Sequence, residues 1–475
     1  MCSRLEPLHA KIRGDKNCEI PVNWGWLLLR IVIALAILTT VFLSQRFWYR
    51  AVWRISAQWR AAWLRIGTRV LYGLALLFVI FAVAGGFRMG THGHLKQREA
   101  MLAMFAGLWF SSALFAFLAV EVVHGVERMW NWYRKSRVKA QTTPLAATAA
   151  ADTTAAASSL STVERLANPS RRYFFRTASV LAGAAPFAGA VYGFAAERLS
   201  YQVRRVEIPI ANLPSALDGM KIAQISDIHL SAFMSRESVR RVVDMTNDLG
   251  SDVTVVTGDL ITGSRDPIAD CVQEVSRLHA PLGIYGCNGN HEIYADAEET
   301  AQLLFAQAGM KMLRQENAVL SFRGAQLNLI GVDYQRERNL NGHRTLMLSN
   351  MEPLIRRDLP NILLSHNPNS FNRAAELGIE LSLAGHTHGG QIQVEILDHR
   401  LTPARFISDY IAGLFERPLF KPSRDVLVQS AADRPTGNPR PNTSRLYVNR
   451  GIGTVGAPVR LGVPPEISLI VLRRA

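Results

Sequence analysis

The side chains best suited to chemistry stand in five short groups between positions 227 and 388. They read Asp227-Ile228-His229, Gly258-Asp259, Gly289-Asn290-His291-Glu292, His366, and Gly385-His386-Thr387-His388-Gly389-Gly390. Of the histidines after residue 200, His229, His291, His366, His386 and His388 lie in these groups, and His279, His343 and His399 do not. Asp227 and His229 are two residues apart, as are His386 and His388, so on an extended exit each pair can face one ion. Carboxylate, amide and imidazole together suit borderline or hard cations such as Mn, Fe, Zn or Mg. Thiolate is absent from the set, which argues against a structural zinc site. A single D-x-H or G-D pair says little; G-N-H-E is more specific, and G-H-T-H-G-G more specific again.

Each group follows a run of strand character. The runs are Ile222–Ser226, Val253–Thr257, Gly283–Cys287, Ile362–Ser365 and Leu381–Ala384. Helical patterns fall between them, over the stretch holding Val239, Val242, Val243 and Leu249, over Asp270–Leu278 and over Ala295–Ala308. Further strands are expected at Val206–Ile210, Leu327–Val332, Tyr447–Val448 and Ile467–Leu472. Alternating strands and helices predict a layered α/β domain. In an open α/β sheet, ligands bind beyond the carboxyl ends of the strands, so the five groups should meet on one rim. Residues 201–475 can bury a full core without disulfides. Cys271 and Cys287 read as free buried thiols, with pairing open only outside the cytoplasm. Arg450 and Arg460 are candidates for phosphate contact, with solvation at the surface as the plainer reading.

The first two hundred residues differ in kind. The chain of 475 residues has 53 basic and 38 acidic side chains. Positions 1–200 hold 24 of the basic and 9 of the acidic ones, and the remaining 29 of each sign balance, so the whole excess of +15 is N-terminal. A neutral α/β part argues against a nucleic-acid partner. Four apolar stretches, Gly25–Ser44, Val70–Phe87, Ala100–Val120 and Thr177–Ala196, read as bilayer spans. Arginine-rich loops follow the first and third and would face the cytoplasm. If the fourth also crosses, the α/β domain lies outside. Ser170-Arg171-Arg172-Tyr173-Phe174-Phe175-Arg176 before it is similar to a twin-arginine export signal, or is a basic helix flank. The expected organisation is a membrane region over 1–140 with three transmembrane helices, an Ala/Thr/Ser-rich linker over 141–169, the export-like segment and fourth helix over 170–200, and the α/β domain over 201–475.

The five groups, in this order, resemble the blocks of the calcineurin-like metallophosphoesterases, and the resemblance runs from Leu213 to about Leu472. Leu217–Asp227 and Tyr447–Gly453 also look like the membrane-anchored bacterial branch of that family, which includes exported phosphodiesterases and enzymes that cleave the pyrophosphate of a UDP-linked acylated sugar. The resemblance implies a four-layer α-β-β-α domain and two divalent metal ions, with manganese favoured. It places Asp227, His229, Asp259 and His388 on the first ion. It places Asp259, Asn290, His366 and His386 on the second, with Asp259 bridging. His291 would stand near the substrate phosphate as the catalytic acid or clamp. Glu292 would orient its neighbours, or be an ordinary solvated acid. Two segments depart from the family pattern: Glu316–Phe322, and Arg417–Asn442, which reads as an insertion.

The function expected is hydrolysis of a phosphodiester or pyrophosphate by a metal-bridging hydroxide attacking phosphorus in line. A lipid-linked substrate is one candidate, since a tether raises its local concentration. The expected location is the cell (inner) membrane, multi-pass, with the catalytic domain extracytoplasmic. The alternatives are a metal-binding membrane sensor or receptor without turnover, and a transporter with an accessory hydrolase. Against the transporter, the first three spans have no interior acid or histidine pair.

Overall fold

The computed structural model describes residues 24–89, 97–141, 169–336, 345–396, 399–406, 408–419 and 443–475. Four long helices come first: α1 (Trp24–Ala57), α2 (Ala62–Met89), α3 (Gln97–Gln141) and α4 (Pro169–Ala195). Each predicted apolar stretch falls within one of them, the last overrunning α4 by one residue. Among the described residues, Ile31–Ala57, Ala100–Arg134 and Ser170–Leu199 are long and apolar enough to cross a bilayer. Most of the predicted linker, residues 142–168, lies outside the described residues.

The chain divides into two units, residues 1–72 and 73–475. In the first, Arg69 reaches back across the turn that follows α1. Its Nε donates to Ser56 Oγ at 2.9 Å, and its guanidinium lies 4.6 Å from the Trp53 ring centroid. In the second, α3 packs along α4, where Ser112 Oγ donates to the carbonyl of Pro186 at 3.5 Å and the Trp109 and Phe187 rings meet at 5.4 Å.

The α/β part is built on two six-stranded sheets. The first contains β1 (Gln202–Ile210), β2 (Lys221–Ile225), β3 (Val253–Thr257), β4 (Ile284–Cys287), β5 (Lys311–Met312) and β14 (Glu466–Arg474), in the order β1-β14-β2-β3-β4-β5. The second contains β6 (Glu316–Phe322), β7 (Ala325–Gly331), β8 (Asn361–Leu364), β9 (Leu381–Ala384), β12 (Gly413–Pro418) and β13 (Thr443–Val448), in the order β12-β13-β9-β8-β7-β6. A small hairpin, β10 (Val394–Ile396) and β11 (His399–Leu401), stands apart. The strands β2 to β5 run parallel, as do β7, β8, β9 and β13.

The inner faces of the sheets meet through Ile222, Val253 and Val255 on one side and Leu329, Ile362, Leu364, Leu381 and Leu383 on the other, all buried. On the opposite face of the first sheet, Ile225 and Val256 point outward to α5 (Arg236–Asn247), α6 (Ile268–Val275) and α8 (Glu298–Gln307). Strands covered on both faces read as unbroken apolar runs, which is what β2, β3, β8 and β9 are. On α5, Val239, Val242 and Val243 repeat at three and four residues and are buried against the first sheet. Its start is capped by Ser235, whose side chain accepts from the amide of Ser238. Phe371 and Ala374 of α9 (Phe371–Glu376) are buried with residues of the second sheet. The result is a four-layer α-β-β-α sandwich.

Two expectations change. The predicted helix over Ala295–Ala308 begins later, as α8, and a separate short helix α7 (Asn290–Tyr294) precedes it, with Asp296 between the two in a left-handed φ of 53°. Glu316–Phe322 is an ordinary edge strand, β6. It pairs antiparallel with β7 through a two-residue turn at Arg323 (φ 49°) and Gly324 (φ 83°), the primed geometry that matches strand twist. Of the segment 417–442, Arg417 and Pro418 end β12, and residues 420–442 lie outside the described residues.

Candidate metal centre

The five groups follow the carboxyl ends of β2, β3 and β4 in one sheet and β8 and β9 in the other. They therefore gather at one end of the sandwich, across the seam between its sheets. As the chain leaves the strands, the backbone turns left-handed at the residues that face the seam. The φ angles are 51° at Asp227, 49° at His229, 55° at Asp259, 75° at His386 and 52° at His388. Such angles cost a non-glycine residue on the order of 1–3 kcal/mol and persist where surrounding contacts impose them, typically at functional sites.

Three sets of side chains each bring one nitrogen or oxygen atom per residue to within 4.8 Å of one another. They are Asp227, His229 and His388; His229, Asp259 and His291; and Asp259, His366 and His386. Asp227 Oδ1 lies 3.3 Å from His388 Nε2 and 4.0 Å from His366 Nε2. Asp259 Oδ2 lies 3.0 Å from His366 Nε2 and 3.6 Å from His229 Nε2, so it touches both halves of the cluster. Asn290 Oδ1 is 2.7 Å from His386 Nδ1. All seven expected ligands and His291 are thus brought together, with Asp227, His229, Asp259, Asn290, His366 and His388 buried and His291 and His386 partly so.

The donor set fits divalent cations. Backbone carbonyls lie against one ring nitrogen of several histidines: Ile261 O is 3.1 Å from His229 Nδ1, and Thr257 O is 2.6 Å from His366 Nδ1. A proton held at Nδ1 leaves a lone pair on Nε2, which is how a carbonyl prepares a histidine to ligate. His366 is buried, and its Nε2 faces the Asp259 carboxylate at 3.0 Å and the Asp227 carboxylate at 4.0 Å. His229 Nε2 and His388 Nε2 face each other at 3.1 Å, two ligating-type atoms aimed at one place.

The charges point the same way. Burial lowers His229 to about 3 and His386 to about 4, and it pushes His388 well down, so these rings are neutral, as ligands must be. Burial raises Asp227 to about 6. Burial also works to lower His366, but the Asp259 and Asp227 carboxylates beside it prevail and raise it to about 10. Burial would raise Asp259, yet His366, His229 and His291 hold it below the ordinary carboxylate range. The buried carboxylates thus call for positive charge between the sheets.

Supporting residues hold this geometry. Glu292 is buried, and its carboxylate accepts the amides of Asp259 (2.9 Å), Leu260 (2.7 Å) and Gly289 (2.8 Å). It is an organising residue of the loops and not a solvated acid. Asp259 Oδ1 accepts the amide of His291 at 2.9 Å, and Asp227 accepts the amide of His386 at 3.0 Å. Gly289 and Gly385 are needed for close approach. A Cβ on Gly289 would stand 2.1 Å from Asp259 Oδ1, and one on Gly385 would stand 2.3 Å from Asp227 Oδ2.

Arg460 corrects its expectation. It is fully buried and donates to the carbonyls of Arg450, Gly451, Gly453 and Val463. It neither meets solvent nor has a side-chain nitrogen to spare for phosphate, and instead braces the loop whose Ile452 and Gly453 amides bond the carbonyls of Ser226 and Asp227. Arg450 is largely buried, with Nε 3.3 Å from Glu466 Oε2. Cys271 and Cys287 are free and buried. Tyr334 was not foreseen. Its ring lies 5.3 Å from that of His386 and 6.1 Å from that of His366, just after β7, and the short run Gly331-Val332-Asp333-Tyr334 at a strand end was the available signal.

Comparison with known proteins agrees with this geometry. Residues 220–390 match the calcineurin-like phosphoesterase family. A transmembrane protein with a metallophosphoesterase domain from Bos taurus is 31% identical over 58% of this chain and 57% of its own length. Its counterpart from Danio rerio is 30% identical over 60% of each. The chain thus spans somewhat over half the length of these two relatives. An uncharacterised metallophosphoesterase of Bacillus subtilis is 28% identical over 64% of this chain and 98% of its own length.

Proposed function

We propose, for a chain that carries a calcineurin-like metallophosphoesterase domain, that it is a membrane-anchored, two-cation hydrolase of phosphodiesters or pyrophosphates. The observation that carries this reading is the buried convergence of seven ligand-type side chains from five strand ends. Asp227, His229 and His388 would hold one divalent cation. Asn290, His366 and His386 would hold the other, and Asp259 reaches both. When bound, a pair of divalent cations, with manganese favoured, would supply neutralisation of phosphate oxygens and acidification of water.

The protein's own groups do the rest. The carbonyls of Ile261 and Thr257 keep His229 and His366 in the ligating tautomer. Asn290 adds a ligand without charge, which keeps the rim receptive to an anion. Thr262 O lies 2.7 Å from His291 Nδ1, so Nε2 is the nitrogen left for the ester. When protonated, it donates to the leaving oxygen.

The domain scheme proposed is a membrane region over 1–140, a linker over 141–169, an export-like segment with a helix over 170–200, and the catalytic domain over 201–475. The basic flanks favour an inner-membrane, multi-pass chain with the catalytic domain outside. The anchor favours a lipid-linked substrate. The purified full chain with added manganese should hydrolyse an aryl phosphodiester, and Asp259→Asn should abolish this. Turnover that survives chelation and dialysis would refute the reading.

A further inference from the structure

Helix α4 is fixed against the α/β domain along its last two turns. The carbonyl of Gly193 accepts the amide of Arg460 at 3.2 Å, and a Cβ on Gly193 would stand 2.4 Å from the Arg460 carbonyl oxygen. A Cβ on Gly189 would stand 3.2 Å from Leu461 Cδ2. Just beyond the helix, Glu197 accepts the amide of Gly462 at 3.0 Å, and Arg198 donates to the carbonyl of Phe233 at 2.9 Å.

These contacts set a depth. The uncharged run between Arg176 and Glu197 is about 30 Å long as helix, the thickness of a hydrocarbon core. Gly189 lies about 12 Å short of Glu197 on the same scale, so Leu461 touches α4 at a level inside that run. Leu461 also pairs with the neighbouring segment. Its amide donates to the Gln391 carbonyl at 3.0 Å, and its carbonyl accepts the Gln393 amide at 2.8 Å.

Alongside, large apolar side chains are exposed. Ile392 and Val394 are two residues apart on an extended chain, so they share a side. Phe406 is 95% exposed and follows the exposed Arg405. The segment carrying it folds back on the same loop, for a Cβ on Gly390 would meet Thr402 Oγ1 at 2.0 Å. A cleft of about 540 Å³ borders this loop, lined by Gly389 (next to His388), Gln393, Thr402, Arg405, Asp409 and Arg450 among others. Isolated exposed apolar residues need no explanation. An aromatic beside an arginine and two aliphatics, on a loop locked to a candidate span, matches an interfacial membrane contact.

We propose that Ile392, Val394 and Phe406 form a seat on the bilayer surface, so that the cleft beside His388 opens at headgroup level and takes phosphate esters from the lipid side. The seat rests on α4 as a span, while the second test below rests also on the phosphoesterase reading. In the first test, the full chain with Cys2→Ser and Cys18→Ser is reconstituted in phosphatidylcholine–phosphatidylglycerol vesicles. One environment-sensitive fluorophore is attached at Phe406→Cys, Val394→Cys or, as reference, Leu303→Cys on α8. Labels at 406 and 394 should be quenched by nitroxide lipid and shielded severalfold from aqueous iodide, with the reverse at 303. Equal iodide quenching at all three sites overturns the seat.

In the second test, Phe406→Ser and Ile392→Ser should each lower kcat/KM on a vesicle-borne phosphodiester about tenfold, the worth of one apolar side chain's burial. Turnover of a soluble aryl diester should be unchanged. Equal losses on both substrates would overturn the proposal. No turnover of either substrate by the unaltered chain would refute the phosphoesterase reading and leave the quenching result to decide the seat.

Discussion

The two sheets bring unlike chemistry to their shared rim. The first supplies every acid of the cluster, Asp227 and Asp259, together with Asn290, His229 and His291, and Glu292 behind them. The second supplies imidazoles alone, His366, His386 and His388. The closest acid–base approach, His366 Nε2 to Asp259 Oδ2 at 3.0 Å, crosses the seam. The difference teaches that neither sheet makes a site by itself. Each proposed cation draws ligands from both sheets, so binding is also a clamp on the sandwich.

The largest effect should come from breaking the acidic side. Asp259→Asn removes the side chain that comes nearest to both halves, and several kcal/mol of transition-state stabilisation should go with it, about a 1000-fold loss or more in kcat/KM. His366→Gln, on the imidazole side, should leave measurable turnover, because Asn290 and His386 remain for that cation. If His366→Gln matches Asp259→Asn, the two sides are equivalent and the comparison fails.

Gly289→Ala sharpens the point without touching a ligand. Its Cβ would drive Asp259 off position, and about 100-fold should be lost, the scale on which small misplacements act. Gly263→Ala, whose Cβ meets nothing within 4 Å, should behave like the unaltered chain in the same assay.

Much of this rim was legible because each group follows its strand within a residue or two, and strands buried on both faces leave an unmistakable apolar run. Asp227, Asp259 and His386 needed no tertiary information to be placed at strand ends. Arg460 did. Its guanidinium satisfies carbonyls within its own loop, and nothing in Val459-Arg460-Leu461 distinguishes that from an arginine in solvent. The short helix α7 was equally hidden, since Asn290-His291-Glu292 directly follows a strand run and reads as its exit.

A smaller effect is expected from Glu292→Gln, which keeps shape and removes the charge that gathers the amides of Asp259, Leu260 and Gly289. Metal affinity, read by competition with a chelating dye, should fall 10- to about 100-fold with the fold intact. An unchanged affinity would reduce Glu292 to packing.

The smallest effect lies away from the rim and serves as its control. Glu274 bonds Arg236 and Arg240 of α5, and the Arg240 hydrogen bond outweighs burial to hold its carboxyl at about 2. A carboxyl depressed on folding stabilises the fold above its unfolded value and loses that contribution as pH falls through the folded one. Glu274→Gln should therefore cost about 1–3 kcal/mol near neutral pH, with the gap to the unaltered chain closing between about 4.5 and about 2. Turnover per folded molecule should not change. A pH-independent gap would mean that shape, and not charge, is what Glu274 contributes.

The most direct test is to count cations. Full-length protein stripped with a chelator, reloaded with manganese and freed of excess should hold two ions per chain by elemental analysis. Turnover should appear only as the second ion binds, and Asp259→Asn should hold fewer and stay inactive. Full turnover with one ion or none would contradict the account.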